Sequence, residues 1–513
     1  MSAPTRHDDP GLARLADAIL IPPFGGQEAP GWVLAALRDG LGGVTVFGPN
    51  IAGPAQLADL TARLRSAATE PLIAIDEEGG DVTRIGHLVG SRYPGNAALG
   101  AVDDVALTRA VYRALGTDLA ALGINVDLAP SVDVNTAADN PVIGTRSFGA
   151  DTDLVARHAA AAVTGLQAAG VAACAKHFPG HGSTRTDTHD TIATVDVSPQ
   201  VLARRDLPPF AAAIAAGVRA VMPGHLRVPQ LTGDLPASLS AAAQTGLLRG
   251  ELGFTGVIIS DALEMRAVSG PYGIAEAAVL AVAAGTDLLC FGRDQGRDTY
   301  LAVRDALAAA AASGRIPPRR LEDAAARVAE LRAWTAASAP GGARSAYRPA
   351  DGADVGLAAA RRAVRVSGRL ARPAGRPVLV EVVPPANIAV GTVPWGLEPW
   401  IPAGSIIRIG VTATAGDRAG DHVGDHVGAH VGDADRALAA AAGRPLIVVV
   451  RDAHRYPAAR DVVTRLLAAR PDAVVVEMGL PVWRPSGGAY VATYGAAGAS
   501  GQAAAEVLGL TAS

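Results

Sequence analysis

The sequence predicts an α/β protein: a (β/α)8 barrel of the TIM type over residues 1–335, a linker over 336–356 and a smaller α/β (αβα) sandwich domain over 357–513. Three observations carry that expectation. Short apolar runs alternate with Ala/Leu/Arg-rich helical stretches at the spacing of βα units, and eight such runs precede the linker. The segment that follows, ASAPGGARSAYRPADGADVG, has no periodicity. After it the alternation resumes on a smaller scale.

The barrel strands are expected at 18–22, 43–47, 72–76, 124–129, 171–175, 218–222, 256–260 and 287–291. A barrel of this kind carries its active site at the C-terminal ends of its strands, and there the polar residues collect. The third run ends at Asp76 and continues as EEGGDVTR to Arg84. The fourth leads through APSVDVN to NPVIGTRSFG, which contains Arg146. The fifth carries Lys176 and His177, the sixth ends at His225 and the seventh at Asp261. One strand-end Asp or Arg is ordinarily a helix cap or a surface ion pair. Five strand ends bearing such groups point instead to a site.

The stretch CAKHFPGHGSTRTDTH, residues 174–189, packs ionisable side chains and glycines into a loop after an apolar strand. In an extended segment residues i and i+2 point the same way, so the Asp187 carboxylate is expected beside the His189 imidazole, where it fixes the tautomer and favours the protonated form. A positioned His–Asp pair is a proton-transfer device.

In the second domain strands are expected at 377–383, 406–411, 445–450 and 473–477, with helices such as 458–469, which suggests a parallel sheet covered by helices. A four-residue repeat over 416–433 sets His422, His426 and His430 four residues apart. A glycine in every repeat makes a helix poor, so it reads as a low-complexity surface insertion rather than a zinc site. The run GAAGASG, 495–501, is similar to a dinucleotide loop but lacks the second strand and acidic residue that such a site needs. It reads as a glycine turn with Ser500 as helix cap.

Composition excludes several classes of function. A net charge of -4, 18% charged residues and the lack of any Lys/Arg run offer nothing to a nucleic-acid backbone. Mean hydropathy is +0.24, but the excess is Ala and Val and no uncharged apolar run approaches the length of a membrane span, so a soluble chain with no membrane partner is expected. Residues 1–10 lack a cationic start followed by an apolar core, so no secretory signal is expected. Cys174 and Cys290 each end an apolar run and read as small buried hydrophobes, which fits a reducing cytoplasm. With no P-loop, metal cluster or activated Ser or Cys, no cofactor and no metal are expected.

What remains is a carboxylate, a His–Asp pair, and Asp, Arg and Lys side chains suited to hydroxyl groups. A retaining glycosidase needs a carboxylate nucleophile and a group that first protonates the leaving oxygen and later deprotonates water. Asp261 suits the first role and His189 the second, since an imidazole of pKa about 6.5 serves both steps near neutrality.

The chain resembles glycoside hydrolase family 3, and within it the bacterial β-N-acetylglucosaminidases, in its two-domain form. The resemblance rests on DEEGGDVTR (76–84), NPVIGTRSFG (140–149), KHFPGHG (176–182), DTH (187–189) and SDALEM (260–265), in family order. It implies an exo-acting, retaining enzyme that forms its glycosyl-enzyme on Asp261 and uses His189, held by Asp187, as general acid/base. It also implies that Asp76, Arg84, Arg146, Lys176 and His177 bind a terminal N-acetylglucosamine. The family pattern usually has Gln where Glu77 stands and a different residue at Asp81. Peptidoglycan or chitin fragments are the substrates it suggests, and the aglycone stays open. Three alternatives remain. Replacing a carboxylate by His lessens repulsion of phosphate, which admits a phosphorylase. A β-glucosidase or β-xylosidase would take its acid/base carboxylate from elsewhere. A sugar-binding protein would show no turnover.

Overall fold

The computed structural model describes residues 10–186, 192–338, 352–385, 389–401, 405–411 and 431–511. All eight expected runs form barrel strands: Leu20–Ile21, Gly43–Val46, Leu72–Ile75, Val126–Asp127, Ala172–Phe178, Ala220–Pro223, Val257–Ile258 and Leu289–Cys290. Their side chains are buried throughout, as expected of a parallel sheet covered on both faces. The second to seventh strands form one parallel sheet in chain order. The seventh reaches the eighth through Ile259 and Leu288, and the eighth pairs in parallel with the first. The ring closes where the Thr45 amide donates to the Pro22 carbonyl at 3.2 Å.

Most strands are shorter than the apolar runs that predict them. The fifth is longer, because Lys176 and His177 continue it: their polar side chains find partners at the barrel mouth, so the backbone stays extended to Phe178. Helices on the outside start from side-chain caps where the sequence supplies them, as at Asp104, Asp151 and Ser198, whose oxygens accept from the amides of Leu107, Leu154 and Val201. Cys174 and Cys290 are both buried free thiols.

At the bottom of the barrel Asp287 is fully buried and gathers cations. Its carboxylate takes Arg249, Arg320 at 2.6 Å and the Ile258 amide at 2.9 Å. These arginines are themselves largely buried, so the group closes the end of the barrel opposite the strand-end residues singled out above.

The second domain is a six-stranded sheet with strand order Arg365–Ser367, Ala489–Ala492, Val474–Glu477, Leu446–Val450, Val378–Val383 and Ser405–Gly410. All neighbours are parallel except the first pair. Alternate residues serve opposite faces: Val378, Val380 and Val382 pack against helices Val431–Ala440 and Pro457–Ala469, while Leu379 packs with Ala504 and Ala505 of helix Gly498–Val507 and with Leu508 just beyond its end. The result is the expected αβα sandwich, with an antiparallel edge that the sequence did not predict. Arg365–Ser367 is mostly exposed and carries no apolar run, so its pairing with Ala489–Ala492 leaves no pattern to read.

Two expectations are corrected. Ser500 does not cap a helix; helix Gly498–Val507 begins before it, and the hydroxyl is buried inside the first turn with no partner among the described residues. The ends of the expected linker are helical, since Pro318–Ser338 and Gly352–Ala363 run into it and residues 339–351 lie outside the described residues. Helix Gly352–Ala363 ties the two halves together, with Ala359 in the barrel core and Ala360 packed on Ala499 and Ala503. The histidine repeat falls almost wholly on residues 412–430, outside the described residues. No single helix among the described residues is long and apolar enough to cross a membrane.

Removing Asp287 leaves two buried guanidinium groups without their carboxylate. Asp287→Ala is expected to destabilise the protein by about 3–5 kcal/mol while leaving kcat/KM of the folded fraction within a few-fold of wild type, measured by urea unfolding and by activity at low temperature.

Candidate active site

At the barrel mouth the third, fourth and fifth strands place side chains of opposite charge against one another. Lys176 Nζ lies 2.7 Å from Asp76 Oδ1 and 2.8 Å from Glu78 Oε1. Arg146 grips Glu78 with two parallel bonds, Nε to Oε2 at 2.9 Å and Nη2 to Oε1 at 2.7 Å. Its Nη2 also lies 3.3 Å from His177 Nε2. Arg84 stands 3.8 Å from Asp76, and its Nε is buried with no acceptor among the described residues. All five residues expected to bind sugar are thus brought into one cluster.

Burial works to raise the Glu78 carboxyl, but the Arg146 and Lys176 charges overcome it and hold the group well below the usual carboxylate range. Burial works to lower Lys176 and Arg146, and their carboxylate partners reverse that as well. Glu78, Lys176 and Arg146 are therefore all charged near neutrality.

Asp133 orients His177. It lies in the loop after the fourth strand, fully buried, and its Oδ2 sits 2.8 Å from His177 Nδ1 and accepts from the Ser131 hydroxyl at 2.9 Å. Its Oδ1 accepts from the amides of His177 and His181 at 3.3 and 2.6 Å. Burial pushes this carboxyl up, and the His177 and His181 interactions bring it down overall. An ionised Asp133 can only accept, so His177 donates through Nδ1 and presents Nε2 as the acceptor facing Arg146. His181, alongside, is buried and pushed down to about 4 mainly by desolvation.

The glycines of the third-strand loop have a steric reason. Gly79 and Gly80 have φ of +70° and +62°, and a Cβ on Gly80 would sit 2.4 Å from the Gly95 backbone. This left-handed turn sends Glu78 inward to Arg146 and Asp81 outward to Thr145, whose hydroxyl donates to Asp81 Oδ2 at 2.6 Å. Beneath it, Glu77 Oε2 accepts from the Thr83 hydroxyl and from the amides of Arg84 and Ile85 at 2.8–3.0 Å, which fixes the start of the loop that bears Arg84. Desolvation pushes Glu77 up to about 7. Asp127 lies below it, accepts the Glu77 amide, and is raised well above the ordinary carboxylate value by burial.

Asp261 follows the seventh strand, and its Oδ1 accepts from the amide of Ala262 at 2.8 Å. His225, at the end of the sixth, bonds Ser238 through Nδ1 and the Ala262 carbonyl through Nε2 at 3.0 Å, so it braces the segment that carries Asp261. Asp187 and His189 lie outside the described residues. Sequence reasoning missed Glu78, Asp133 and Asp127, although two of them stand in runs it had singled out, DEEGG and APSVDVN. The signal available was three consecutive acidic residues directly after a buried strand.

The second domain reaches this mouth. Arg84 Nη2 donates to the Ala389 carbonyl at 3.3 Å, and a shallow cleft runs between the 138–146 loop and Val390, Arg451, Asp452, His454, Arg455 and Leu480.

Residues 32–331 match the N-terminal domain of glycosyl hydrolase family 3. The chain belongs to this family. It is 38% identical over 273 residues to β-hexosaminidase A of Pseudoalteromonas piscicida, a match that covers 49% of this chain and 46% of that protein, so it spans less than half the length of that relative. It is 40% identical over 258 residues to the β-hexosaminidase of Xylella fastidiosa strain M23, covering 49% of this chain and 76% of that one. Over both domains it is similar to the solved family 3 β-N-acetylglucosaminidase of Paenibacillus sp. str. FPU-7, with TM-score 0.84, 33% identity and coverage of 98% and 97% of the two chains. The expected family and the barrel-plus-sandwich architecture are both borne out.

Glu77 supplies a test of the site's electrostatics. A carboxyl at about 7 in the folded chain, against an ordinary 4.5, holds a proton that the unfolded chain has already lost. Its contribution to stability therefore falls as pH rises from the lower value to the higher, by on the order of 3 kcal/mol. In Glu77→Gln that slope is absent. The melting temperature of the variant minus that of wild type is expected to rise across this window, as measured by scanning calorimetry.

Proposed function

We propose that this chain is a retaining, exo-acting β-N-acetylglucosaminidase that releases terminal N-acetylglucosamine from small β-linked oligosaccharides. The observation that carries the reading is the interlocked polar cluster of Asp76, Glu78, Lys176, Arg146 and His177 at the barrel mouth. Fixed donors and acceptors in alternation, held within hydrogen-bond distance of one another, suit vicinal hydroxyl groups, each of which both donates and accepts. The buried Arg84 Nε adds a donor still in need of an acceptor. The β-hexosaminidase relatives and the Paenibacillus β-N-acetylglucosaminidase support the choice of sugar.

In this reading Asp261 attacks the anomeric carbon as the leaving oxygen takes a proton from His189, whose charge Asp187 supports. His189 then removes a proton from water as water displaces Asp261 and returns the free sugar with its configuration retained. The binding cluster holds the ring so that this attack is in line, which is the larger part of what a preorganised site contributes. Peptidoglycan or chitin fragments are the natural substrates proposed, and the buried free thiols suit a cytoplasmic setting.

The test is an aryl β-N-acetylglucosaminide together with a 5-fluoro N-acetylglucosaminyl donor. Wild type is expected to turn over the first and to be labelled on Asp261 by the second, located by peptide mapping. Asp261→Asn is expected to lower kcat by roughly 1,000-fold or more. Label on another carboxylate would remove Asp261 from the role. Sugar 1-phosphate in place of free sugar in phosphate buffer would make the enzyme a phosphorylase, and binding without turnover, unchanged in Asp261→Asn, would make the protein a receptor.

A further inference from the structure

We infer that Arg451 of the second domain is a positioning residue for Arg146, acting across the domain interface through Asp81 and Thr145. The inference rests on the reading of Arg146 as a sugar ligand.

Asp81 lies in the barrel's third-strand loop with its side chain only 1% exposed. Arg451 Nη2 lies 3.1 Å from Asp81 Oδ2, and the Ala496 amide, also from the second domain, donates to Oδ1 at 2.7 Å. Among the described residues a third donor is the Thr145 hydroxyl, at 2.6 Å from Oδ2. Thr145 directly precedes Arg146 in the short 3-10 turn Gly144–Arg146. One barrel carboxylate thus joins two groups of the second domain to the backbone that carries the site's main guanidinium.

The geometry is that of two rungs. Glu78 and Asp81 stand at the two ends of the Gly79–Gly80 turn; Glu78 holds the Arg146 guanidinium and Asp81 holds its neighbour Thr145. A small cavity lined by Glu78, Gly79, Asp81, Thr145 and Arg146 separates the rungs, so they are linked through backbone rather than by direct packing. Arg451 is the counter-charge that Asp81 meets in this buried place, and burial, which works to lower Arg451, is overcome by Asp81. Without Arg451 the buried carboxylate has lost its counter-charge and turns toward water. The Thr145 rung then weakens and the Arg146 guanidinium loses its fixed approach to Glu78 and to the sugar.

The variants are Arg451→Gln, Arg451→Lys and Thr145→Val, the last removing the rung without leaving any charge unpaired. Each is read by steady-state kinetics on the aryl substrate, by calorimetric titration with N-acetylglucosamine and by melting temperature. Arg451→Gln and Thr145→Val are expected to raise KM and weaken sugar binding about tenfold, with kcat changed less, at temperatures where both are folded. Arg451→Lys is expected to recover most of the loss. The double variant is expected to be little worse than either single one, because both cut the same path. If Arg451→Gln does not fold, Thr145→Val alone decides. Kinetics and binding within twofold of wild type in folded Thr145→Val overturn the inference, as does a double variant whose losses multiply. Wild type that neither turns over the substrate nor binds the sugar defeats the reading of the site and the inference with it. Wild type that does both, beside an unaffected Thr145→Val, defeats the inference alone.

Discussion

A lysine ammonium buried between two carboxylates is the interaction on which the rest of the barrel mouth depends. Lys176 touches Asp76 and Glu78 within hydrogen-bond distance, in a place where an unpaired charge of either sign would be strongly unfavourable. Neither carboxylate is satisfied by Lys176 alone. Glu78 therefore takes the Arg146 fork, Arg84 stands by Asp76, and Arg146 in turn meets His177, which Asp133 holds from behind. Each added charge is needed by the one before it. Such a chain is rigid because no member can leave without exposing another, and rigidity is the property a sugar-binding site exploits.

Below this ionised layer lies another of different character. Glu77 and Asp127 are carboxyls that burial pushes toward the neutral form, and both work through backbone: Glu77 on the amides of the Arg84 loop, Asp127 on the amide of Glu77. Two adjacent glutamates thus meet opposite fates. Glu78 has two cations within 3 Å and stays charged, whereas Glu77 has a hydroxyl and amides in its place. Burial is equal for the two, so the partners decide. The division keeps negative charge at the mouth, on the side of the Asp261 segment, and reduces it in the floor.

Much of this was legible in the sequence, for reasons that particular residues make plain. The barrel strands stood out because both faces of a parallel sheet are covered, which turns each strand into an unbroken apolar run such as LIAI at Leu72–Ile75. Asp76, Arg84, Arg146, Lys176 and His177 stood out because polar groups interrupt the pattern where those runs end. Glu78 and Asp133 did not, since their roles are set by partners 68 and 44 positions away in the chain. The edge strand Arg365–Ser367 is exposed on most of its length and has no apolar signature at all. Ser500 reads as a cap by residue type, yet helix Gly498–Val507 has already begun before it, because backbone geometry and not the hydroxyl sets that boundary.

The contact between the domains lay furthest beyond reach, because Asp81 and its Ala496 donor are 415 positions apart. Its chemistry nonetheless constrains both halves. A buried Asp–Arg pair contributes little net stability while it is intact, but parting it strands a charge in each partner. The barrel therefore presents Asp81 in its present form only when the sandwich is docked, and the docked sandwich also covers Arg84 through Ala389. Asp81 and Arg451 can change only together: a neutral residue at one position leaves the other buried without its counter-charge. The second domain is in this sense continuous with the active-site wall, and the shape of the barrel mouth is a property of the two-domain chain rather than of the barrel by itself.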